Sequence, residues 1–236
     1  MIKGILFDLG YTLEKPETGD WMLTKKFYSY YPKEVLQALD KEVLHNALRK
    51  ASFPLAQDHK INTREEEFIQ FTKFYYDLIS NIPSLSIDET IAKDIAQDRT
   101  YDYEKYVLFD STMETLQTLK EQGYKLGVLS DTWPSTVNQL EYAGIAQYFD
   151  CFTYSFQYGV LKPHHLLYED AIKKMQLSPD TLIFVDDLPK NLIGASAYGI
   201  HPVQSLQNPS IQQDASFPSI NKPSDIFALL NHTKQE

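Results

Sequence analysis

The C-terminal half of the chain alternates between strand-length apolar runs and amphipathic helical stretches, and this alternation limits the folds available to it. From Ser111 onward, predicted strands at 125–129, 151–154, 181–185 and 201–204 are separated by segments with helical periodicity. A further apolar run at 2–7 is long enough for one buried strand. Strands that alternate with helices form a parallel sheet that helices cover on both faces. We therefore predict an α/β fold built around a parallel sheet.

The region between the first strand and this alternating half shows only helical patterns. The polar stretches at 14–20 and 205–223 are predicted to be loops. Apolar residues at helical spacing form the stripes Leu36, Leu39, Val43 and Ala47; Phe68, Phe71, Tyr75 and Leu78; Ile87, Ile91 and Ile95; and Met113, Leu116 and Leu119. Capping boxes pair Thr63 with Glu66, Ser86 with Glu89 and Ser111 with Glu114. The patterns before residue 107 predict an all-helical domain at 15–106, inserted into a core formed by 1–14 and 107–236. The stripe that begins at Met113 and the capping box of Ser111 belong to the first helix of the alternating half.

Polar side chains stand where the predicted strands end. Asp8 follows the first strand, Ser130 follows the strand at 125–129, and Asp186 and Asp187 follow the strand at 181–185. Right-handed crossovers place the C-terminal ends of parallel strands at one edge of the sheet, where open α/β folds bind ligands. We therefore expect these residues to converge, although they are far apart in the sequence.

Three carboxylates that share a site repel one another unless cations compensate their charge. Lys162, in the turn-like segment 159–163, supplies one positive charge, and a divalent cation would supply two more. Oxygen ligands favour Mg²⁺ over Zn²⁺. A carboxylate can attack phosphorus, so Asp8 is a candidate nucleophile that would form an aspartyl-phosphate. Ser130 and backbone N–H groups of the loop after Asp8 would donate hydrogen bonds to the phosphoryl oxygens.

Four short segments carry these groups in a fixed order along the chain. They read FDLGYTL at 7–13, LSD at 129–131, GVLKP at 159–163 with Tyr168 beyond it, and VDDLPKN at 185–191. Together they resemble the four motifs of the haloacid dehalogenase superfamily. The resemblance implies a Rossmann-like core with a helical cap domain inserted after the first motif. The roles that it implies are catalysis by Asp8, Ser130 and Lys162, Mg²⁺ binding by Asp8, Asp186, Asp187 and the backbone carbonyl of Gly10, and substrate binding by Leu9, Gly10, Tyr11, Thr12, Asp131 and Asn191.

The first motif departs from the pattern of that superfamily. Its phosphatases usually carry Asp two residues after the nucleophile, as the acid for the leaving group and then as the base for water, whereas this chain has Gly10. Losing such acid–base help slows a reaction by about 10²- to 10⁴-fold. Tyr11, Glu14, Asp20 or a residue of the helical insert are the candidates to replace it. In the second motif, Asp131 stands where the superfamily often has Asn.

These observations lead to one expected function and two alternatives. The expected function is a Mg²⁺-dependent phosphatase of a small phosphorylated metabolite, with Arg49, Lys50 and Arg64 as candidates to bind an anionic leaving group. One alternative is a catalytically weakened member that binds a phosphorylated ligand or a protein. The other is a metal-independent hydrolase of 2-haloacids, in which Asp8 forms an ester.

Composition argues against several other classes of protein. The net charge is −10 and no basic stripe is present, so we expect no binding to nucleic acid or to an anionic membrane. We predict no signal peptide and, because no run of about 18 apolar residues occurs, no membrane span. The single cysteine, Cys151, excludes an intramolecular disulfide and favours a reducing compartment, so we predict a cytoplasmic location.

Overall fold

The computed structural model describes residues 1–86 and 88–232. Ile87, which the sequence analysis places in an apolar stripe, lies outside the described residues. The strands are β1 (Gly4–Phe7), β2 (Glu14–Pro16), β3 (Tyr106–Leu108), β4 (Lys125–Ser130), β5 (Cys151–Tyr154), β6 (Leu182–Asp186), β7 (His201–Ser205) and β8 (Ser219–Ile220). The helices are α1 (Lys25–Tyr30), α2 (Lys33–Gln37), α3 (Lys41–Gln57), α4 (Arg64–Ser80), α5 (Glu89–Tyr101), α6 (Thr112–Glu121), α7 (Thr136–Tyr142), α8 (Ser155–Tyr158), α9 (His165–Met175), α10 (Pro189–Ser196) and α11 (Ile226–His232).

Six strands form a parallel sheet that has the N-terminal strand near its centre. The strand order is β5-β4-β1-β6-β7-β8, so β1 pairs with β4 on one side and with β6 on the other. Phe7 lies opposite both Val128 and Val185, which brings the C-terminal ends of these three strands level at one edge. The backbone N–H of Asp8 extends this pairing by donating to the carbonyl of Val185 at 2.9 Å. The strand ends that the sequence analysis expects to converge therefore do so.

Helices cover both faces of this sheet because its central strands are apolar on both sides. Along β1, Ile5 and Phe7 belong to one hydrophobic cluster and Leu6 to another, as the two-residue period of a strand requires. Side chains of α6, α7 and α11 pack in the first cluster, and side chains of α9 and α10 pack in the second. The predicted α/β fold with a parallel sheet covered on both faces is confirmed.

Helices α1 to α5 pack around a separate hydrophobic cluster. Its largest fully buried side chains are Phe27, Phe71, Phe74, Tyr75 and Leu78. The predicted capping box at the start of α4 is present, because Thr63 Oγ1 accepts from the backbone N–H of Glu66 at 3.2 Å and Glu66 Oε2 accepts from that of Thr63 at 3.0 Å. The predicted helical character of this region is therefore confirmed, apart from its two ends.

A short antiparallel ribbon joins the two ends of the helical region. We predicted a loop at 14–20 and helices as far as about Tyr106, but β2 pairs with β3, with Lys15 opposite Val107. Each of these strands has three residues, which is too few for strand periodicity to show in a sequence. The two-residue strand β8, which pairs with the edge of the sheet inside the predicted loop at 205–223, was missed for the same reason.

Three helix starts differ from the predictions. The stripe that we assigned to one helical face is divided between α2 and α3, because Asp40 caps a new helix. The N-cap of α5 is Asp88 rather than Ser86, and its carboxylate accepts from the backbone N–H of Thr90 at 2.6 Å. Ser111 makes no capping hydrogen bond with α6 because it adopts a left-handed conformation, with φ of 70°. Short polar side chains near a helix start compete for the cap, and the sequence does not decide which one wins.

The start of α6 also faces outward more than its apolar spacing predicts. Leu116 and Leu119 are fully buried, but Met113 is 44% exposed. The hydroxyl of Ser111 accepts from the backbone N–H of Ser224 at 3.3 Å, which ties this end of α6 to the segment before α11.

Candidate active site

Asp8 lies at the C-terminal edge of the sheet, directly after β1. Its neighbours are Asp186 and Asp187 at the end of β6, and one oxygen from each of the three carboxyl groups lies within 4.8 Å of the others. All three residues are buried. The cluster therefore concentrates negative charge in a region of low dielectric constant, where charges interact strongly.

Lys162 is the cation within this cluster. Its ammonium group contacts Asp8 Oδ1 at 2.8 Å and Asp186 Oδ2 at 2.7 Å, and it donates to the carbonyl of Leu129 at 3.2 Å. Burial alone would lower the pKa of Lys162, but the charges of Asp186 and Asp8 outweigh burial and raise it. Lys162 is therefore protonated and bridges two of the three carboxylates.

Further hydrogen bonds orient the carboxyl groups. The amide of Asn191 donates to both oxygens of Asp186 at 3.0 Å, and Asn208 Nδ2 donates to Asp187 Oδ2 at 2.6 Å. Burial raises the pKa of Asp187 to about 6. Burial also raises the pKa of Asp8 above its ordinary range, although the charge of Lys162 opposes this. An additional cation would lower both pKa values, because it favours the ionised form.

The loop after β4 is tied to the segment that carries Lys162. Ser130 ends β4 at the same edge of the sheet and is buried. Asp131 Oδ1 accepts from the backbone N–H of Lys162 at 2.9 Å. Burial raises the pKa of Asp131, and the charge of Lys162 opposes that effect. The carboxyl group of Asp131 therefore has a structural contact here, since it fixes the backbone from which the lysine extends.

A cavity of about 400 Å³ lies above these residues, between the edge of the sheet and the helical region. Catalytic candidates Asp8, Ser130 and Lys162 line it together with Asp187. The predicted substrate-binding residues that line it are Leu9, Gly10, Tyr11, Asp131 and Asn191. Asp186 lies beneath them and is fully buried.

Two of the predicted substrate-binding positions have their backbone N–H groups occupied within the loop itself. Tyr11 N–H donates to the carbonyl of Glu14 at 2.8 Å, and Thr12 N–H donates to that of Leu9 at 3.2 Å. Thr12 is also buried and does not line the cavity. Within the part of the chain that the structure describes, the N–H groups of Leu9 and Gly10 have no backbone acceptor, so these two donors remain for a ligand.

The cations that we predicted to bind an anionic leaving group lie elsewhere. Arg49 and Lys50 are exposed on α3. Arg64, at the start of α4, stacks 4.9 Å from the ring centroid of Tyr101 and donates to the hydroxyl of Tyr103. None of the three lines the cavity. The structure therefore does not place them where a leaving group would lie.

Comparison with known proteins assigns the chain to a family. Residues 42–204, more than half of the chain, match the family model described as haloacid dehalogenase-like hydrolase. The chain belongs to the haloacid dehalogenase-like hydrolase family. The superfamily and the class of enzyme that the sequence analysis predicted are thereby confirmed.

Similar proteins agree with this assignment. The chain is 28% identical over 221 residues to a glyceraldehyde 3-phosphate phosphatase from Methanocaldococcus jannaschii, and the alignment covers 88% of this chain and 86% of that protein. A haloacid dehalogenase-type phosphatase from Thermococcus onnurineus has a similar structure, with a TM-score of 0.66, 18% identity, and coverage of 97% of this chain and 98% of that one. The L-2-haloacid dehalogenase from Xanthobacter autotrophicus gives a TM-score of 0.68 at 17% identity, with coverage of 98% and 99%. Both solved structures share the fold.

In this haloacid dehalogenase-like hydrolase, the indole ring of Trp21 fills the space beside Gly10. A Cβ atom at position 10 would lie 3.1 Å from Trp21 Cζ2 and 3.3 Å from Cη2. Carbon atoms in comfortable contact are separated by about 3.5–4.0 Å. Trp21 itself packs edge-on against Tyr11 and Tyr106, with ring centroids 5.4 and 5.2 Å apart. An aspartate at position 10 would therefore require the indole ring to move.

Two of the three residues proposed to replace the acid absent from position 10 lie at the cavity, and the third does not. Tyr11 and Glu14 line the cavity, whereas Asp20 lies outside it and accepts from the backbone N–H groups of Met22 and Leu23 at 2.8 and 3.0 Å. Burial raises the pKa of Glu14 to about 7, although a nearby lysine opposes this effect. Burial also raises the pKa of Tyr11.

One residue that the helical region contributes to the cavity was not predicted from the sequence. Arg99 of α5 lines the cavity, opposite the sheet. It follows Ile91 and Ile95 at a spacing of four residues, so an arginine on an apolar helical face was the signal that the sequence offered.

A second contact that was missed joins α4 to the loop after β4. Glu67 is fully buried, and its two oxygens accept from the backbone N–H and the hydroxyl of Ser135, each at 2.7 Å. Trp133, in the same loop, lines the cavity. The helical region is therefore hydrogen-bonded to the loop that follows Ser130.

The described part of the chain contains no helix that is both long and apolar enough to cross a bilayer.

Proposed function

We propose that this protein is a Mg²⁺-dependent phosphatase that removes phosphate from a small phosphorylated metabolite through an aspartyl-phosphate on Asp8. The observation that carries this proposal is the buried cluster in which Lys162 contacts Asp8 and Asp186, with Asp187 beside them at the base of the cavity. The relative named as a glyceraldehyde 3-phosphate phosphatase supports the hydrolysis of a phosphate ester.

The cluster fits Mg²⁺ in its donor atoms and in its charge. Asp8, Asp186 and Asp187 offer only carboxylate oxygens, which Mg²⁺ prefers. When ionised, they carry three negative charges against the single positive charge of Lys162, so a divalent cation would balance the cluster. Lys162 contacts Oδ1 of Asp8, and the side-chain amide of Asn208 donates to Oδ2 of Asp187. The other carboxylate oxygen of Asp8 and of Asp187 is therefore left for a cation. Together with the backbone carbonyl of Gly10, these residues would hold Mg²⁺, which would spread the charge of the transferring phosphoryl group.

The residues of the chain would divide the reaction among them. Asp8 attacks phosphorus as the bond from phosphorus to the leaving-group oxygen breaks, which releases the leaving group and forms the aspartyl-phosphate. Lys162 holds the carboxylate of Asp8 in place and attracts the phosphate dianion. Ser130 and the free backbone N–H groups of Leu9 and Gly10 donate to the phosphoryl oxygens as charge moves onto them. Water then hydrolyses the aspartyl-phosphate and regenerates Asp8.

We also propose that residues 15–106 form a cap domain over a core of 1–14 and 107–236. The separate hydrophobic cluster of α1 to α5 supports this division, and so does the ribbon of β2 and β3 at its boundary. Trp21 and Arg99 reach from this region into the cavity. Side chains in such positions would exclude water from the reacting phosphorus and would select the leaving group.

The glycine at position 10 affects which substrates would react best. Without a carboxyl group there, a leaving group that departs without a proton has the advantage. Acyl phosphates are of this kind, and sugar 1-phosphates, whose anomeric oxygen is a better leaving group than that of an ordinary alcohol, would also suffer less from the missing acid. Tyr11 or Glu14, which line the cavity, would supply the proton for poorer leaving groups.

The test is hydrolysis of p-nitrophenyl phosphate and acetyl phosphate with and without Mg²⁺. We expect Mg²⁺-dependent phosphate release by the wild type and none by Asp8→Asn, which removes the nucleophile and keeps the size of the side chain. Asp110→Asn is the matched control, because Asp110 is exposed and does not line the cavity. A screen of phosphorylated metabolites under the same conditions would then find the substrate.

The alternatives predict different results in the same experiment. Absence of turnover together with a tightly bound phosphorylated ligand would favour the catalytically weakened member. Metal-independent release of halide from 2-haloacids would favour the dehalogenase-like hydrolase.

A further inference from the structure

Arg99 of α5 is a buried cation with unused hydrogen-bonding capacity. It is 3% exposed and lines the cavity that also contains Asp8. Among the described residues, no acceptor bonds to its Nε or its Nη1. A guanidinium group has N–H donors in a fixed fork, and leaving buried donors without acceptors is unfavourable. Because Arg99 also lines the cavity, a ligand that fills the cavity would lie against its side chain.

The neighbouring carboxyl groups do not satisfy this arginine. Glu67 Oε1 lies 3.7 Å from Nη1, which is beyond hydrogen-bond distance, and both oxygens of Glu67 already accept from Ser135. Glu14 also lines the cavity, but the positive charge that interacts with its carboxyl group is that of Lys105 and not that of Arg99. Asp8 is paired with a lysine at the other side of the cavity. Glu67 therefore forms a buried ion pair with Arg99 but accepts no hydrogen bond from it, and the side of Arg99 that lines the cavity remains open to an anion.

Aromatic rings hold the guanidinium group in position. It lies 4.4 Å from the ring centroid of Phe71 and 5.7 Å from those of Tyr106 and Trp133. Besides Glu67, its polar neighbour is the hydroxyl group of Tyr106, a residue that also lines the cavity. Stacking limits the directions in which the N–H groups point, and the planar fork of arginine matches a carboxylate or a phosphate. The site is therefore suited to a planar or tetrahedral oxyanion rather than to a neutral hydroxyl group.

We infer that Arg99 binds a second anionic group, a carboxylate or a phosphate, on the leaving group of the substrate. The phosphoryl group that is transferred would lie at Asp8, at the sheet side of the same cavity. This inference rests on the proposed phosphatase function and extends it to a substrate class, namely small phosphate esters with two anionic ends. A cavity of about 400 Å³ has room for a phosphoryl group and a leaving group of a few carbon atoms.

The experiment compares substrates that differ only at the end remote from the reacting phosphate. The two-carbon set is ethylene glycol monophosphate, 2-phosphoglycolate and ethylene glycol bisphosphate, and the three-carbon set is glycerol 3-phosphate, 3-phosphoglycerate and glycerol 1,3-bisphosphate. In each set the remote group is a hydroxyl, a carboxylate or a second phosphate. For the wild type with Mg²⁺, we expect a higher kcat/KM for the carboxylate or the bisphosphate than for the neutral member. The member that is preferred identifies the anion.

Variants then assign this preference to Arg99. Arg99→Met should lower the ratio of anionic to neutral kcat/KM by about 10- to 100-fold, because hydrogen bonds to charged groups are lost. Arg99→Lys should give an intermediate ratio, since it keeps the charge and loses the fork. Arg49→Met is the matched control, because Arg49 is exposed on α3 outside the cavity, and its ratio should equal that of the wild type.

The possible outcomes separate this inference from the proposed function. A folded Arg99→Met variant with the wild-type ratio would overturn the inference alone. A wild type that prefers the neutral members would also overturn it, and that measurement does not depend on the folding of a variant. Absence of Mg²⁺-dependent turnover on every phosphate ester would overturn the proposed function and, with it, this inference.

Discussion

Placing an acid at position 10 tests why this chain has glycine there. The backbone of Gly10 lies outside the left-handed region, so it is compatible with a side chain, and the obstacle is Trp21. A Cβ atom would already lie 3.1 and 3.3 Å from the indole ring, and the carboxyl group would extend beyond it. Overpacking of this kind costs about 1–3 kcal/mol. We therefore expect Gly10→Asp alone to fold with a lower free energy of unfolding and to gain only part of the benefit of an acid.

Trp21→Leu should remove the obstacle by deleting the ring atoms that crowd position 10. In the double variant Gly10→Asp/Trp21→Leu, a general acid should then contribute about 10²- to 10⁴-fold in rate, equivalent to about 3–5 kcal/mol of barrier. The gain should be large for alkyl phosphates, whose leaving groups need a proton, and small for aryl phosphates. The quantity to measure is kcat/KM with Mg²⁺, because it would report the proposed transfer of the phosphoryl group to Asp8.

The control is Gly10→Asn/Trp21→Leu, because Asn matches Asp in size but has no proton to transfer. We expect this control to show the rates of Trp21→Leu alone. Circular dichroism and thermal unfolding would establish that both double variants are folded. If the two double variants then have the same ratio of alkyl to aryl kcat/KM, the missing acid does not limit the reaction and the reasoning is refuted.

Two further predictions concern stability. Glu67→Gln should lower the free energy of unfolding by about 1.5–3 kcal/mol, because it weakens charge-assisted hydrogen bonds to Ser135. Glu65→Gln, exposed on the same helix, should change it by less than about 0.5 kcal/mol in urea titrations, and equal effects would contradict this role. Burial lowers the pKa of His59 from 6.5 to about 4, so the unfolded chain binds the proton first and stability falls as the pH drops between these values. Relative to His59→Gln, the wild type should lose about 2 kcal/mol between pH 7.5 and pH 5, and parallel pH curves would show that burial does not suppress protonation of His59.

The convergence of the site residues was open to prediction because it follows from the topology of the sheet. Once strands alternate with helices, right-handed crossovers bring the strand ends to one edge, whatever their separation in the sequence. Asp8, Ser130 and Asp186 were placed together on that ground alone. The need for a cation followed from the repulsion of the three carboxylates, and the resemblance to the third motif pointed to Lys162 as that cation. Their catalytic roles, the Mg²⁺ site and the cytoplasmic location stay predictions.

The contacts between the helical region and the core could not be predicted from the sequence. Periodicity shows that Arg99 shares a face with Ile91 and Ile95, but it does not show which surface that face meets. Trp21 lies in an irregular segment, where no period relates its side chain to Gly10. Both contacts depend on how the helical region packs on the core. That packing results from many weak interactions, and no single sequence motif encodes it.

The central position of β1 has a consequence for the order of folding. Gly4 pairs with Lys125 and with Leu182, so the first strand to be synthesised must wait for much of the chain before it has either neighbour. Such distant pairings form slowly, because the entropy of closing a long loop is lost before any contact is gained. Helices α3, α4 and α5 pack on neighbours close in sequence and can assemble earlier. A nascent chain that ends before β6 would therefore have its helical region but not the cluster of carboxyl groups, since Asp8 would still lack Asp186.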